Sequence, residues 1–284
     1  MKNIIEANGL IKKFNKFKLE ITESIPEGYI TGIIGANGAG KTTFINTILN
    51  IIKSDSGSIF FDKENITEES FRYKDQLGIV FDSNIYPSFW TPNILEKAIN
   101  TYYTNWSNDI FTYYLYKFGI NGSKKISSLS KGMQMKLMIA VALAHDPKVL
   151  ILDEPTSGLD PISRDELLTI LQEYVKVDNH SVIFSTHITS DLEKIADYII
   201  YLYKGEVIYS GDKNNFIEEY KIVQGPKSSL LKDQLEKVIA KDTYSYGFKA
   251  LIKTSDSKFF LEDKYKISSS SIDEIMIFIN KSLS

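Results

Sequence analysis

The sequence contains the run Gly35-Ala36-Asn37-Gly38-Ala39-Gly40-Lys41-Thr42, which fills every fixed position of the pattern G-x-x-x-x-G-K-T. An apolar run at residues 30–34 precedes it, and residues 43–49 follow with apolar side chains at helical spacing. This order of strand, glycine-rich loop and helix is the context in which such a loop binds phosphate. The sequence therefore predicts a site for a nucleoside triphosphate.

The residue types in this loop suit that chemistry. Glycines let successive backbone N–H groups face a phosphate chain, and the helix that follows adds the positive end of its dipole. The Lys41 ammonium can reach the β- and γ-phosphates, and the Thr42 hydroxyl can complete the shell of a Mg²⁺ ion. The candidate nucleotide-binding residues here are Gly35, Ala36, Asn37, Gly38, Ala39, Gly40, Lys41, Thr42 and Thr43.

Composition limits the classes of protein to consider. The 284 residues are 43% hydrophobic and 24% charged, which is typical of a soluble globular protein. The absence of cysteine excludes disulfides, thiolate metal sites and thiol catalysis. A net charge of −3 argues against a nucleic-acid surface, and no apolar run approaches the ~20 residues that span a bilayer.

Hydrophobic patterns predict the order of elements in the first part of the chain. Residues 1–25 alternate apolar and polar side chains, as antiparallel strands do, and residues 57–62 and 77–81 indicate two further strands. Residues 91–120 are mostly helical by pattern and rich in aromatic side chains. Packing within a helical subdomain is the favoured explanation of those aromatics, and a face for a protein partner is the alternative.

The remaining patterns predict a buried parallel sheet and a small second domain. Residues 149–152 and 181–185 are short apolar runs typical of parallel strands, and residues 198–209 suit a hairpin. After that we expect a helix at 226–240, a strand at 246–254 and a helix at 271–283 that opens on a capping box. The predicted domains are a cassette at 1–215, with a helical subdomain at about 83–145, and an α+β appendage at 216–284.

Two acids end the apolar run at 149–152. Asp153 can hold Mg²⁺ at the carboxyl end of the strand, and Glu154 can orient and deprotonate a water that attacks the γ-phosphate. A solvated turn before Pro155 is the simpler explanation of two adjacent carboxylates. The phosphate loop upstream favours the functional explanation.

Three further motifs occur in order: Leu129-Ser130-Lys131-Gly132-Met133, Ser157-Gly158-Leu159-Asp160 and Thr186-His187. With the loop and the acidic pair, they make residues 4–215 resemble the ATP-binding cassette (ABC) ATPases. The resemblance implies an α/β phosphate-loop NTPase fold with an antiparallel β subdomain and a helical subdomain. The first motif matches the family's L-S-G-G-Q signature except at Lys131 and Met133.

The resemblance also implies roles for individual residues. Ser130 and Gly132 would bind the γ-phosphate of an ATP held by a second subunit, and Asp160 would cross the interface between the two. His187 would be the switch histidine that bonds the γ-phosphate or the attacking water; taken alone, a histidine after a strand is more often structural.

Two further assignments depend on the same resemblance. Phe14 would stack on adenine, although Phe17 is a rival for that position and either ring could belong to the core. Asp82 stands where the family usually has the glutamine that touches Mg²⁺ and the membrane partner. A carboxylate is a hard oxygen ligand but is one methylene shorter, so direct contact, contact through water and no contact all stay open.

The function implied is an ATP-hydrolysing subunit that uses ATP and Mg²⁺ and drives a separate transmembrane permease. It would pair with a second cassette, identical or paralogous, would bind no nucleic acid, and would be cytoplasmic, on the inner face of the membrane. The overall pattern resembles bacterial exporters of antibiotics and peptides, such as the bacitracin and phenol-soluble-modulin systems. The alternatives are a soluble ABC ATPase acting on ribosomes and a regulatory or immunity ATPase.

Overall fold

The computed structural model describes residues 2–66, 72–177, 179–227 and 229–283. The chain forms two units, Met1–Ser210 and Gly211–Ser284. None of the helices in the described ranges is both long and apolar enough to cross a lipid bilayer.

The first unit is built on a ten-stranded mixed sheet with the order β5-β4-β1-β2-β10-β9-β3-β8-β7-β6. Its strands are β1 Asn3–Phe14, β2 Phe17–Pro26, β3 Ile30–Ile34, β4 Ser56–Phe61, β5 Glu64–Asn65, β6 Leu77–Val80, β7 Val149–Asp153, β8 Ser181–Thr186, β9 Tyr198–Tyr203 and β10 Glu206–Asp212. Strands β1, β2, β4 and β5 pair antiparallel, as the alternating pattern predicts, whereas β3, β6, β7, β8 and β9 pair in parallel.

The parallel strands position the sequence motifs. All residues of β3, β7 and β8 are buried, which explains why these strands are continuously apolar or small. Strand β8 lies between β3 and β7, and parallel neighbours end at the same edge of a sheet. The loop after β3, the acidic pair at the end of β7 and the histidine after β8 therefore meet at that edge.

The helices of this unit are α1 Lys41–Ile48, α2 Pro92–Ile99, α3 Asn108–Lys117, α4 Lys131–Leu143, α5 Pro161–Tyr174 and α6 Thr189–Ile195. Side-chain oxygens cap the starts of α2 to α5 through Thr91, Ser107, Ser130 and Asp160. Eight residues of α4 are buried, consistent with its nearly continuous apolar sequence.

A tight turn at Lys204 and Gly205 joins the neighbouring strands β9 and β10. Both residues have positive φ, 48° and 88°, as a type I′ hairpin turn requires. A Cβ at position 205 would lie 1.9 Å from the carbonyl oxygen of Lys18, so only glycine fits. The Gly205 N–H donates to the Ala39 carbonyl at 2.9 Å, and the Gly205 carbonyl accepts from the Glu20 N–H at 2.8 Å.

The second unit is an antiparallel four-stranded sheet with helices. Its elements in chain order are α7 Lys213–Glu218, β11 Tyr220–Gly225, α8 Lys232–Leu235, β12 Val238–Thr243, β13 Phe248–Lys253, β14 Lys266–Ser269 and α9 Ile272–Leu283. The sheet order is β12-β13-β11-β14. The capping box of α9 is present, with Ser271 N donating to Glu274 Oε2 at 3.0 Å and Glu274 N donating to Ser271 Oγ at 3.2 Å.

The predicted helix at 226–240 is wrong. A single helical turn, α8, lies in that range, and β12 then pairs with β13 along its length. Buried Gln234 fixes the turn, because its Nε2 donates to the Phe259 carbonyl at 2.7 Å and its Oε1 accepts from Tyr265 Oη at 2.6 Å. Pairing and burial override a local preference for helix.

The buried residue His145 makes stability depend on pH. Its ring stacks on Tyr103 with centroids 4.1 Å apart, and Nε2 lies 3.1 Å from the Leu77 carbonyl oxygen. Burial lowers the pKa of His145 below 6.5. As the pH falls below about 6.5, the histidine of the unfolded chain takes up a proton more readily than the buried His145 of the folded chain. Protonation therefore favours the unfolded state, and we expect the free energy of unfolding to fall below that pH.

Urea unfolding of the wild type and His145→Phe at pH 7.5 and 5.5 measures this effect. The phenyl ring preserves the aromatic volume but does not titrate, so the variant should lose less unfolding free energy than the wild type on acidification. The variant's lost hydrogen bond to Leu77 lowers its stability at both pH values, and the comparison concerns the slope alone. Equal losses in the two proteins would contradict the prediction.

Candidate nucleotide-binding site

A cavity of about 590 Å³ lies at the shared edge of β3, β7 and β8. It brings together most of the residues predicted from the motifs. Those that line it are Ala36, Asn37, Gly38, Gly40, Lys41, Thr42, Thr43, Asp82, Glu154 and His187.

The phosphate loop reaches the cavity through a sharp entry into α1. Gly40 has a φ of 111°, and a Cβ there would lie 2.9 Å from Cζ of Phe17, so the loop needs glycine at this point. Lys41 then begins α1 with its side chain only 6% exposed. Its ammonium donates to the Gly35 carbonyl at 2.8 Å and lies 3.1 Å from Oε1 of Glu154.

Glu154 lies between two partners at the end of β7. Its backbone has a positive φ of 48°, and its N–H is held by the side-chain oxygen of Ser185 at 3.0 Å. Its Oε2 lies 2.6 Å from Nδ1 of His187 and accepts the His187 backbone N–H at 3.3 Å. Because a carboxylate only accepts hydrogen bonds, Nδ1 carries a proton and Nε2 is the nitrogen left for other partners.

This geometry can support hydrolysis of a phosphoanhydride bond. The Glu154 carboxylate is partly buried, lines the cavity beside Lys41 and is oriented by His187. A carboxylate held within hydrogen-bond reach of the phosphate site is a candidate general base for an attacking water. The Lys41 ammonium is the matching cation for phosphate oxygens.

The predicted metal-binding residues are placed differently from one another. Thr42 and Asp82 line the cavity, and Asp82 Oδ1 accepts a hydrogen bond from Ser83 Oγ at 3.2 Å. Asp153 lies outside the lining, is 6% exposed, and accepts a hydrogen bond from Ser185 Oγ.

Seven predicted residues lie outside the cavity lining: Phe14, Gly35, Ala39, Ser130, Gly132, Asp153 and Asp160. Ser130 and Asp160 are helix caps, with Ser130 Oγ accepting Met133 N at 3.2 Å. The pKa of Asp160 is lowered by hydrogen bonds from the backbone N–H and side chain of Ser163. Both caps are at the surface of the chain rather than at its own phosphate loop.

Three lining residues are not among the ten above, and two of them, Lys131 and Ser157, had no predicted role at this site. Phe17, the rival to Phe14, lines the cavity, whereas the Phe14 ring is 46% exposed with its centroid 6.1 Å from that of Phe17. Lys131 and Ser157 also line it. Both belong to motifs in the sequence, but nothing in the sequence indicates that they face the phosphate loop.

A buried network supports the segment that follows Glu154. Asp191, 1% exposed on α6, accepts hydrogen bonds at 2.6 Å from Thr156 Oγ1 and from Nε of Arg164 on α5. Arg164 also donates to Ser190 Oγ at 2.7 Å. The network joins the segment after the acid to the helix that follows His187, and no contiguous motif reveals it.

Comparison with known proteins identifies the family. A sequence model of the ABC transporter family matches residues 19–157. The lantibiotic transport ATP-binding protein SrtF of Streptococcus pyogenes is 31% identical over 220 residues, which cover 74% of this chain and 93% of that protein. The bacitracin transport ATP-binding protein BcrA of Bacillus licheniformis is 31% identical over 217 residues, covering 73% and 69% of the two chains.

A solved structure agrees with the sequence comparisons. The protein cbiO1 of Clostridium perfringens, part of the ABC transporter complex cbiONQ, superposes with a TM-score of 0.65 at 29% identity. The match covers 76% of this chain and 91% of that one. The predicted phosphate-loop fold is thereby confirmed, and the chain belongs to the ABC transporter family as an ATP-binding, ATP-hydrolysing subunit.

Proposed function

We propose that this chain drives a bacterial exporter of peptides or antimicrobial compounds through a separate membrane-spanning partner. The observation that carries the proposal is the cavity that places Lys41, Glu154 and His187 around the phosphate loop. The lantibiotic and bacitracin transport proteins support the cargo class. No observation favours the ribosomal or regulatory alternative.

In this proposal the residues of the cavity have different roles in binding and hydrolysing ATP. The backbone N–H groups of the loop and the Lys41 ammonium bind the phosphates of ATP. Glu154 takes a proton from the water that attacks the terminal phosphorus, and His187 fixes the orientation of that carboxylate. Phe17, which lines the cavity where Phe14 does not, is the better placed ring for adenine.

The residues present also suit Mg²⁺. Magnesium at such sites is held by one or two carboxylates together with substrate phosphates. Thr42 offers a hydroxyl and Asp82 a carboxylate within the cavity lining, and Asp153 ends β7, where it accepts a hydrogen bond from Ser185 Oγ. The ion would neutralise phosphate charge during hydrolysis.

A second cassette completes the site in this proposal. Ser130, Gly132 and Asp160 lie outside the lining of their own cavity. Ser130 is exposed at the start of α4, where its hydroxyl and the first N–H groups of the helix can bind an anion. We propose that the anion is the terminal phosphate of an ATP bound by the facing subunit.

The membrane partner would contact the segment that follows Asp82. Ile85 and Phe89 are 58% and 68% exposed there, and exposed large apolar side chains grouped together often mark interaction surfaces. This position beside the cavity would let a permease sense nucleotide. The chain would then work on the cytoplasmic side of the membrane.

Affinity capture of the tagged chain from native membranes tests the proposal. We expect an integral membrane protein to co-purify with the wild type and to be reduced several-fold with Phe89→Ser. Ile51→Ser is the matched control, because Ile51 is 56% exposed and lies away from Asp82 in the sequence. Recovery in a ribosomal fraction, with no membrane protein captured, would instead favour the soluble alternative.

A further inference from the structure

Lys131 stands where the family signature has glycine, and its side chain lines the same cavity as Lys41 and Glu154. It begins α4, and its ammonium lies above Gly158. A Cβ on Gly158 would be 2.8 Å from that nitrogen. Because Gly158 has no side chain and adopts a φ of +71°, it leaves room for the ammonium. A departure from the motif thus places an additional cation at the nucleotide cavity.

In the part of the chain that the structure describes, the other charged groups of the cavity leave the Lys131 ammonium without a partner. The lining carries two ammonium groups, Lys41 and Lys131, and two carboxylates, Asp82 and Glu154. Lys41 is already paired with Glu154 at 3.1 Å. Across the described ranges, Lys131 makes neither an ion pair nor a side-chain hydrogen bond, so its charge is available to an anion.

The direction from which Lys131 enters indicates which part of the nucleotide it meets. Lys131 lines the cavity together with Ser157, and its ammonium lies close to Gly158, in the segment that follows Glu154. Because Glu154 is the proposed base for the water that attacks the terminal phosphorus, we expect the terminal phosphate to be the part of the nucleotide nearest this segment. Lysine carries a compact charge on a flexible stem, which suits a single phosphate oxygen. ADP lacks the terminal phosphate and would lose this contact.

We propose that Lys131 binds the terminal phosphate of the ATP held by its own chain and thereby makes the site prefer ATP over ADP. This proposal rests on the nucleotide site described under the proposed function. It differs from the role of Ser130 and Gly132, which act on a nucleotide of the facing subunit. One signature segment would then serve two nucleotides.

Titration of the full-length chain with fluorescent ATP and ADP analogues in Mg²⁺ tests the proposal. The Glu154→Gln background prevents turnover during the measurement. Loss of one charged hydrogen bond should raise the Kd for ATP by about tenfold in Lys131→Gln. The Kd for ADP should change by less than about twofold, and Lys131→Arg should recover most of the ATP affinity.

Lys124→Gln is the matched control, since Lys124 is exposed seven positions earlier and does not line the cavity. An unchanged Kd for ATP in Lys131→Gln, or equal increases for ATP and ADP, would overturn the proposal. Failure of the Glu154→Gln parent to bind ATP would instead contradict the proposed nucleotide site. Titration at a protein concentration where ultracentrifugation shows monomers restricts the result to the chain's own cavity.

Discussion

Glu154→Gln is expected to bind ATP and to hydrolyse it about 100- to 10,000-fold more slowly than the wild type. Glutamine keeps the shape of the side chain and can still accept a hydrogen bond from Lys41 at the position of Oε1. It cannot take a proton from water, so the bound nucleotide persists. Phosphate release measured at saturating ATP gives the rate, and nucleotide retention on gel filtration gives the binding.

Glu173→Gln is the control for this change. Glu173 is 56% exposed on α5 and pairs with Lys117 at 3.5 Å, a surface interaction of small energy. The Glu173→Gln variant carries the same chemical substitution away from the cavity, so it should hydrolyse ATP at the wild-type rate. Turnover of Glu154→Gln within about threefold of that control would remove Glu154 from the role of general base.

Lys41→Ala is expected to weaken ATP binding and to reduce kcat by about 100- to 1,000-fold, the usual loss for one donor to developing negative charge. The substitution also leaves Oε1 of Glu154 without its cation, because that ion pair is 3.1 Å long and largely buried. Both effects act on the same site, so binding and turnover should fall together. Steady-state kinetics over a range of ATP concentrations separates kcat from KM.

Lys117→Ala is the matched control for Lys41→Ala, and it removes the exposed partner of Glu173. It should change neither kinetic constant by more than about twofold, since exposed pairs contribute little. Thermal unfolding of both variants reports whether Lys41→Ala is folded at the assay temperature. A folded Lys41→Ala protein with wild-type kcat would show that the lysine does not act on the phosphate.

The core of the candidate site is predictable because its determinants are local. The loop at 35–42, the acidic pair at the end of β7 and His187 after β8 each follow an apolar run directly in the sequence. Parallel pairing of β3, β8 and β7 then brings three separate segments to one edge. A contiguous pattern and a general rule of sheet geometry are sufficient for this inference.

The remaining features depend on contacts between distant residues. The bond from Thr156 to Asp191 joins positions 35 residues apart, and the approach of Lys131 to Gly158 depends on how α4 packs. Phe14 and Phe17 pair with each other in a hairpin. Only the direction of each side chain decides that Phe17 lines the cavity and that Phe14 is exposed. Such directions follow from tertiary packing rather than from a motif.

The prediction of a helix at 226–240 was wrong for a related reason. Its local sequence suits a helix, but Gln234 is buried by bonds to Phe259 and Tyr265, which lie 25 and 31 residues away. Strand pairing between β12 and β13 then uses the rest of the segment. Local propensity is a weak guide where neighbours in space supply the hydrogen bonds.

The hairpin turn at Gly205 supports the phosphate loop from a distant part of the sequence. Its N–H bonds Ala39 in the middle of the phosphate loop, while its carbonyl bonds Glu20 on β2. Any larger residue would collide with the carbonyl of Lys18, displace the turn and disturb the loop that it holds. Defects in ATP use can therefore arise from a hairpin turn far along the chain, in a protein whose phosphate-loop residues are all intact.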